Sequence, residues 1–246
     1  MTKKKKILIT VVVIIAILIV VFAVIIGHFV KSDLTMESNL TKEITEINLL
    51  IENNSKDTSS IDQRLNTINT SGDYVLVEKA AKRYLKDKKE LFTSLYTTLD
   101  NTDKIEKVLT MENIKADAKN FTNTMTLLNT TGLELTNLRE KYVNLTSEKT
   151  ILSYLNKNLR EDDYYKEYYL NGLMQDMTKN EEDLKAIDDL LDTVVDLKEI
   201  FNFLVTNQNN WNIENDKIIF SSEELYNTYK QLLTSISEET KTTNSI

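Results

Sequence analysis

IDDLLDTVVDLKEIFNFL, residues 187–204, places apolar side chains at Ile187, Leu190, Leu191, Val194, Leu197, Phe201 and Leu204. Steps of three and four put all seven on one face of an α-helix, whereas a half-buried strand would alternate. Around the other face run Glu181, Glu182, Asp183, Asp188, Asp189, Asp192 and Asp196. These carboxylates are expected to be solvated. The EF-hand spacing is missing, and a straight helix cannot wrap its own carboxylates round one ion, so no calcium site is assigned.

Composition extends this helical reading to the whole chain. The 246 residues contain no proline and 4 glycines, against roughly 5% and 7% in ordinary globular proteins. Sheets need those residues at their many turns and long helices exclude them. The expected fold class is therefore all-α.

The same periodicity recurs towards the N-terminus. Leu40, Ile44, Ile47 and Ile51 form a heptad-like row, and Ile61, Leu65 and Ile68 a short one after the polar break 53–60. Gly72 and its neighbours end that segment. A long helix follows with Val77, Ala81, Tyr84, Leu85, Phe92, Leu95 and Leu99; its opposite face carries Lys79, Lys82, Arg83, Lys86, Lys88 and Lys89. Asp87 and Glu90 interrupt that basic run, which reads as a solvated surface. Asp103 and Thr110 are expected caps. Ile114, Ala118, Phe121, Met125 and Leu128 form the next row, Gly132 a bend or a close helix approach, and Leu135, Leu138, Tyr142 and Leu145 the continuation. After Ser147 a further helix bears Ile151, Leu152, Leu155 and Leu159.

Residues 162–169, DDYYKEYY, are the most aromatic segment. On a helix Tyr165, Tyr169, Leu170, Leu173 and Met177 share a face, while Tyr164 and Tyr168 project away from it. Outward tyrosines are enriched at interfaces, which makes Tyr164 and Tyr168 candidate partner contacts.

One segment breaks the helical pattern. Trp211, Ile213, Ile218 and Phe220 alternate around Glu214-Asn215-Asp216, the pattern of a small β-hairpin near residues 211–220. Trp211 reads as a plug for the end of the bundle and, secondarily, as a third candidate contact. Ser221 and Glu224 have capping-box spacing for a last helix with Leu225, Tyr229, Leu232, Leu233 and Ile236; residues 239–246 are expected to form a flexible tail.

Residues 7–30, ILITVVVIIAILIVVFAVIIGHFV, follow Lys3 to Lys6. From Ile7 to Ile26 only Thr10 is polar, and at about 1.5 Å per residue this run matches a bilayer's hydrocarbon core of about 30 Å. It is longer than a secretory h-region and lacks a small-residue cleavage pattern, so an uncleaved signal anchor is expected. The lysines place residues 1–6 in the cytoplasm and residues 31–238 outside as an elongated antiparallel helical bundle with coiled-coil-like stripes. Six residues are too few to signal alone. His28, the single histidine, reads as an interfacial residue.

Several function classes are excluded by residue inventory. Without cysteine there is no disulfide, thiolate site or cysteine nucleophile. One histidine leaves no Ser-His-Asp set in the outer portion and no His cluster for metal. Phosphate-binding glycine loops are absent, and a formal net charge of −8 disfavours nucleic acid. The frequent Lys, Asn, Ile and Tyr match the bias of AT-rich bacterial genomes. The expectation is a non-enzymatic, single-pass membrane protein with no catalytic, cofactor or metal site. Its partners are the lipid bilayer through residues 7–30 and a protein partner, or a second copy, through the bundle.

Overall fold

The computed structural model describes residues 33–53, 58–100, 104–105, 107–177 and 181–243. The expected anchor (7–30) and the basic segment before it lie outside these residues, as do Asp103 and residues 244–246. Among the described residues no helix is long and apolar enough to cross a membrane.

The protein is a helical bundle with one small hairpin, as its composition and periodicity imply. Helix α1 spans 33–52, α2 Thr58–Asn66 and α3 Tyr74–Asp100. Short α4, Met111–Asp117, precedes α5, Thr122–Thr146. Three short helices follow: α6, Glu148–Ser153; α7, Lys157–Glu161; and α8, Asp163–Glu167. The last runs on as a π-helical turn, Tyr168–Leu173, and a 3-10 turn, Gln175–Met177. Then come α9, Glu181–Thr206; strands β1, Trp211–Glu214, and β2, Lys217–Phe220; and α10, Glu223–Thr243. Helix α10 thus takes in the first five residues of the expected tail, 239–243.

Helices α5 and α9 form an antiparallel spine. Tyr142 bonds Asp183, Arg139 pairs with Asp188, Gly132 approaches Val194, and Phe121 packs on Phe201. Each is about 38 Å long, so the pair passes through both hydrophobic clusters found among the described residues. The first cluster joins α1, α2 and α3 to the C-terminal half of α5 and to the segment from Ile151 to Ile187. The second joins the N-terminal half of α5 to the C-terminal half of α9, with Ile114, Trp211, the hairpin and α10. Gly132 lies inside α5 and marks a close approach rather than a bend: a Cβ built there would sit 3.4 Å from Val194 Cγ1.

The long apolar rows are core. Leu40, Ile44, Ile47 and Ile51 are buried, as are Ile187, Val194, Leu197, Phe201 and Leu204, together with Ile200 from outside the predicted row. The face opposite that last row is only partly solvated, because Asp183 and Asp188 are used by α5.

Helix ends explain where the predicted rows break. The row from Ile114 to Leu128 is split between two helices at residues 118–121, where Phe121 takes a left-handed conformation (φ 49°). That costs about 1–2 kcal/mol, and the buried ring, 5.0 Å from Phe201 and 6.0 Å from Trp211, offsets it. Asp117 accepts the N–H groups of Asn123 and Thr124 at 3.2 and 2.7 Å, satisfying the first turn of α5. The single helix expected after Ser147 is three helices, capped by Ser147, Asn156 and Asp162. The cap of α10 is Ser222, whose Oγ accepts the Leu225 N–H. Ser221, the predicted cap, instead donates its N–H to Asn210 O at 2.8 Å beside the hairpin.

Candidate interaction site

The candidate site is assembled at the first turns of α1. Glu37 lies three residues before Leu40, so it continues the spacing of the buried row with a carboxylate. Three tyrosines converge on it. Tyr74, at the start of α3, donates to Oε1 at 2.7 Å, and Tyr164, on α8, donates to the same oxygen. Their phenol oxygens lie 2.9 Å apart. Tyr168, the first residue of the π-helical turn, donates to the Glu37 carbonyl at 3.0 Å and touches the Thr41 hydroxyl.

The rings pack as well as bond. Tyr74 meets Tyr165 and Tyr168 edge-on at 5.6 and 5.9 Å, and Tyr164 meets Tyr165 at 5.2 Å. The π-helical turn, closed by the Met174 N–H to Tyr169 O bond at 3.0 Å, sets the register of this corner. Burial, then the hydrogen bonds to Tyr164 and Glu37, push the Tyr74 phenol far above its usual range. Burial pushes Tyr168 up to about 12. Neutral phenols held against a carboxylate are donors, not nucleophiles, so this corner can clasp and present surface.

Behind it, α1 is fixed by buried charge. Glu78 is 0% exposed; its carboxylate accepts the N–H groups of Asn69 and Thr70 and the Thr70 hydroxyl, and pairs with Lys82 at 2.7 Å. Lys82, 3% exposed, also donates to Thr67 O at 2.7 Å and lies 3.7 Å from Glu43. Glu43 and Glu46 both hold Arg64 of α2. One step along, Lys88 is 1% exposed and donates to Asn48 at 2.8 Å and Glu52 at 2.6 Å, with its ammonium 5.2 Å from the Phe92 ring. The reading of Lys82 and Lys88 as part of a solvated basic face is therefore corrected: both point inward to carboxylates, Lys82 to Glu78 one turn before it and Lys88 to Glu52 on α1. Lys79, Arg83 and Lys86 are exposed as expected.

Burial raises the Glu78 carboxyl, but Lys82, Thr70 and Asn69 together hold it below the usual range. The Arg64 guanidinium does the same for Glu43. These groups are occupied in pairs, as a structural frame would be. Among the described residues no group of three or more His, Cys, Asp or Glu is arranged to hold a metal ion.

The three predicted contacts occupy two places. Tyr164 and Tyr168 are in the Glu37 corner, where the Tyr164 ring is 54% exposed and Tyr168 is half-buried. Trp211 is at the opposite end and 2% exposed. Its indole N–H donates to Leu204 O at 2.8 Å, and its ring stacks on Phe121. Lys119 lies 5.0 Å from that ring and donates to the carbonyls of Gln208 and Trp211. The hairpin beside it has Trp211 opposite Phe220 and Glu214 opposite Lys217, closed by Asn215 and Asp216, both at positive φ as a type I′ turn requires. Sequence reasoning missed Glu37, Thr41 and Tyr74; the available signal was a carboxylate at a row position of an otherwise apolar stripe.

The chain matches no protein-family model, no curated protein and no solved structure.

Proposed function

We propose that the chain is a single-span membrane protein whose bundle works by binding, as a non-catalytic interaction or scaffold module on the extracytoplasmic side of the cell membrane. The observation that carries this reading is the apolar run 7–30, flanked by Lys3 to Lys6, followed within three residues by the first helix of the bundle. The pairing of the interior charges supports it, since the frame they make holds helices rather than a substrate. A protein partner, or a second copy of the chain, would meet the exposed bundle surface.

Single cysteines at Ser32 and at Ser235, an exposed position on α10, test the topology in a chain with no cysteine of its own. A membrane-impermeant maleimide should label both in intact cells. Labelling only after lysis would reverse the orientation and favour a spectrin-like scaffold facing the cytoplasm.

A second reading is a sensory ectodomain that works with a separate membrane signalling partner. It is favoured by the Glu37 corner, where the first turns of α1 are tied to α3 and α8. A ligand for such a domain would raise the melting temperature of the outer portion; absence of any shift across a small-molecule panel would count against it.

A further inference from the structure

We infer that the tyrosine-bearing end of the bundle rests in the lipid headgroup layer of a zwitterionic membrane, with the hairpin end pointing away. This rests on the membrane-anchor reading above and adds to it the face that meets the lipid and the posture of the bundle.

Chain length limits how far this end can stand from the bilayer. Leu34 is four residues beyond Val30, the last residue of the apolar run. Four residues cover about 6 Å as helix and at most about 14 Å fully extended. The headgroup region is about 6 Å deep on each side of the hydrocarbon. The first turn of α1 is therefore within, or one side chain above, that layer.

The residues displayed at this end suit it. Leu34 is 61% exposed and lies one turn before Glu37, the residue that the exposed Tyr164 bonds. Tyr165 and Tyr168 are half-buried behind them. An aliphatic side chain beside tyrosines, amphipathic rings with an apolar body and a polar tip, is the composition of an interfacial belt. Charge selects the lipid. Asp33 in the first turn of α1, Asp73 next to Tyr74, Asp162, whose carboxylate accepts the Tyr164 and Tyr165 N–H groups, and Asp163 outnumber Lys166 there, so the end is acidic and would be repelled by anionic headgroups.

The opposite end is far off. From Tyr74 to Phe92 along α3 is about 27 Å, and from Tyr142, which packs on Phe92, to Phe121 along α5 is about 32 Å in the same direction. Trp211 stacks on Phe121. The single native tryptophan is thus an internal reference for the distal end.

The test uses the full chain in phosphatidylcholine vesicles brominated high on their acyl chains. In Tyr164→Trp the new indole should be strongly quenched relative to unbrominated vesicles, while wild-type Trp211 emission should be unchanged. Leu34→Trp, at an exposed position, provides the same readout if Tyr164→Trp loses its helical circular dichroism. Co-flotation with intact Trp211 emission but an unquenched new indole in both variants would overturn the inference, whether solvent or a protein partner covers that end. Quenching of Trp211 would also overturn it, as a bundle lying flat. A requirement for anionic lipid before the indole of Tyr164→Trp is quenched would overturn the zwitterionic assignment. Failure of the wild-type chain to float with vesicles would overturn the anchor reading itself.

Discussion

The two hydrophobic clusters share α5 and α9 but fix their neighbours by different means. In the first, Glu78, Lys82 and Lys88 lie among the apolar layers of α1 and α3, so the helices can meet in one register. In the second, the buried polar residues are Thr124 and Thr131, and register is set by aromatic shape: Phe121 against Phe201 and Trp211, and Phe203 against Phe220 and Tyr229. Charge makes an interface selective because a slipped register strands an ion. Aromatic packing makes it adhesive, with a penalty that grows with the void left behind.

Substitution at either end should separate the two designs. Trp211→Ala removes the plug of the second cluster and should cost about 3–5 kcal/mol in a urea melt followed by circular dichroism; a loss below about 1 kcal/mol would mean the ring is not core. Glu78→Ala takes the paired carboxylate from buried Lys82, which keeps Thr67 O at 2.7 Å and Glu43 at 3.7 Å, and the acceptor from the part-buried N–H groups of Asn69 and Thr70; it should cost about 3 kcal/mol. Lys88→Met is the counter-case. Glu52 keeps partial access to water and Met fills the same channel, so the loss should come mainly from the buried Asn48 Oδ1 left without its donor, about 1–2 kcal/mol and less than at Glu78. A large loss there would show that the Lys88 pair is not replaceable by packing.

Acid should sharpen the same contrast. Glu43 and Glu78 titrate below 4.5 in the folded chain, so their stabilisation is complete above that value and is lost as pH falls through their lowered values. Trp211 emission should outlast the packing of α1 when the two are followed separately in acid. In alkali the raised phenols work in the opposite sense: stabilisation is full below 10, the ordinary tyrosine value, and is lost towards about 12 as Tyr168 ionises. Phenolate absorbance should rise late and together with unfolding. The smallest effect is at the spine. Gly132→Ala gains up to about 1 kcal/mol of helix propensity against a tight Val194 contact and should be nearly neutral; Gly132→Leu should be clearly destabilising.

Much of the fold was legible because its helices obey their period. The rows of α1 and α9 and the alternation of Trp211, Ile213, Ile218 and Phe220 each reported a real buried face or pairing. What was hidden was the use of polar residues inside those rows. Lys88 falls three residues after Leu85 and four before Phe92, a core position by spacing, yet five neighbouring cations made it look like surface. Its acceptors, Asn48 and Glu52, are 40 and 36 residues away and invisible to local pattern. Tyr164 and Tyr168 read as an outward pair, but Tyr168 is half-buried against the first cluster, and the residue that holds both, Glu37, is remote in the chain. Breaks at Ser147, Asn156 and Asp162 were blurred because each cap is a common polar residue in a polar sequence.

The Glu37 corner also has a temporal side. Its bonds to Tyr164 and Tyr168 span 127 and 131 residues, and ribosomes add about 5–20 residues per second. The first helix therefore emerges roughly 6–25 s before the residues that latch it. During that interval its row of Leu40, Ile44, Ile47 and Ile51 can meet only α2 and α3 of its cluster, and folding of the first cluster cannot finish until the chain has been made past α8.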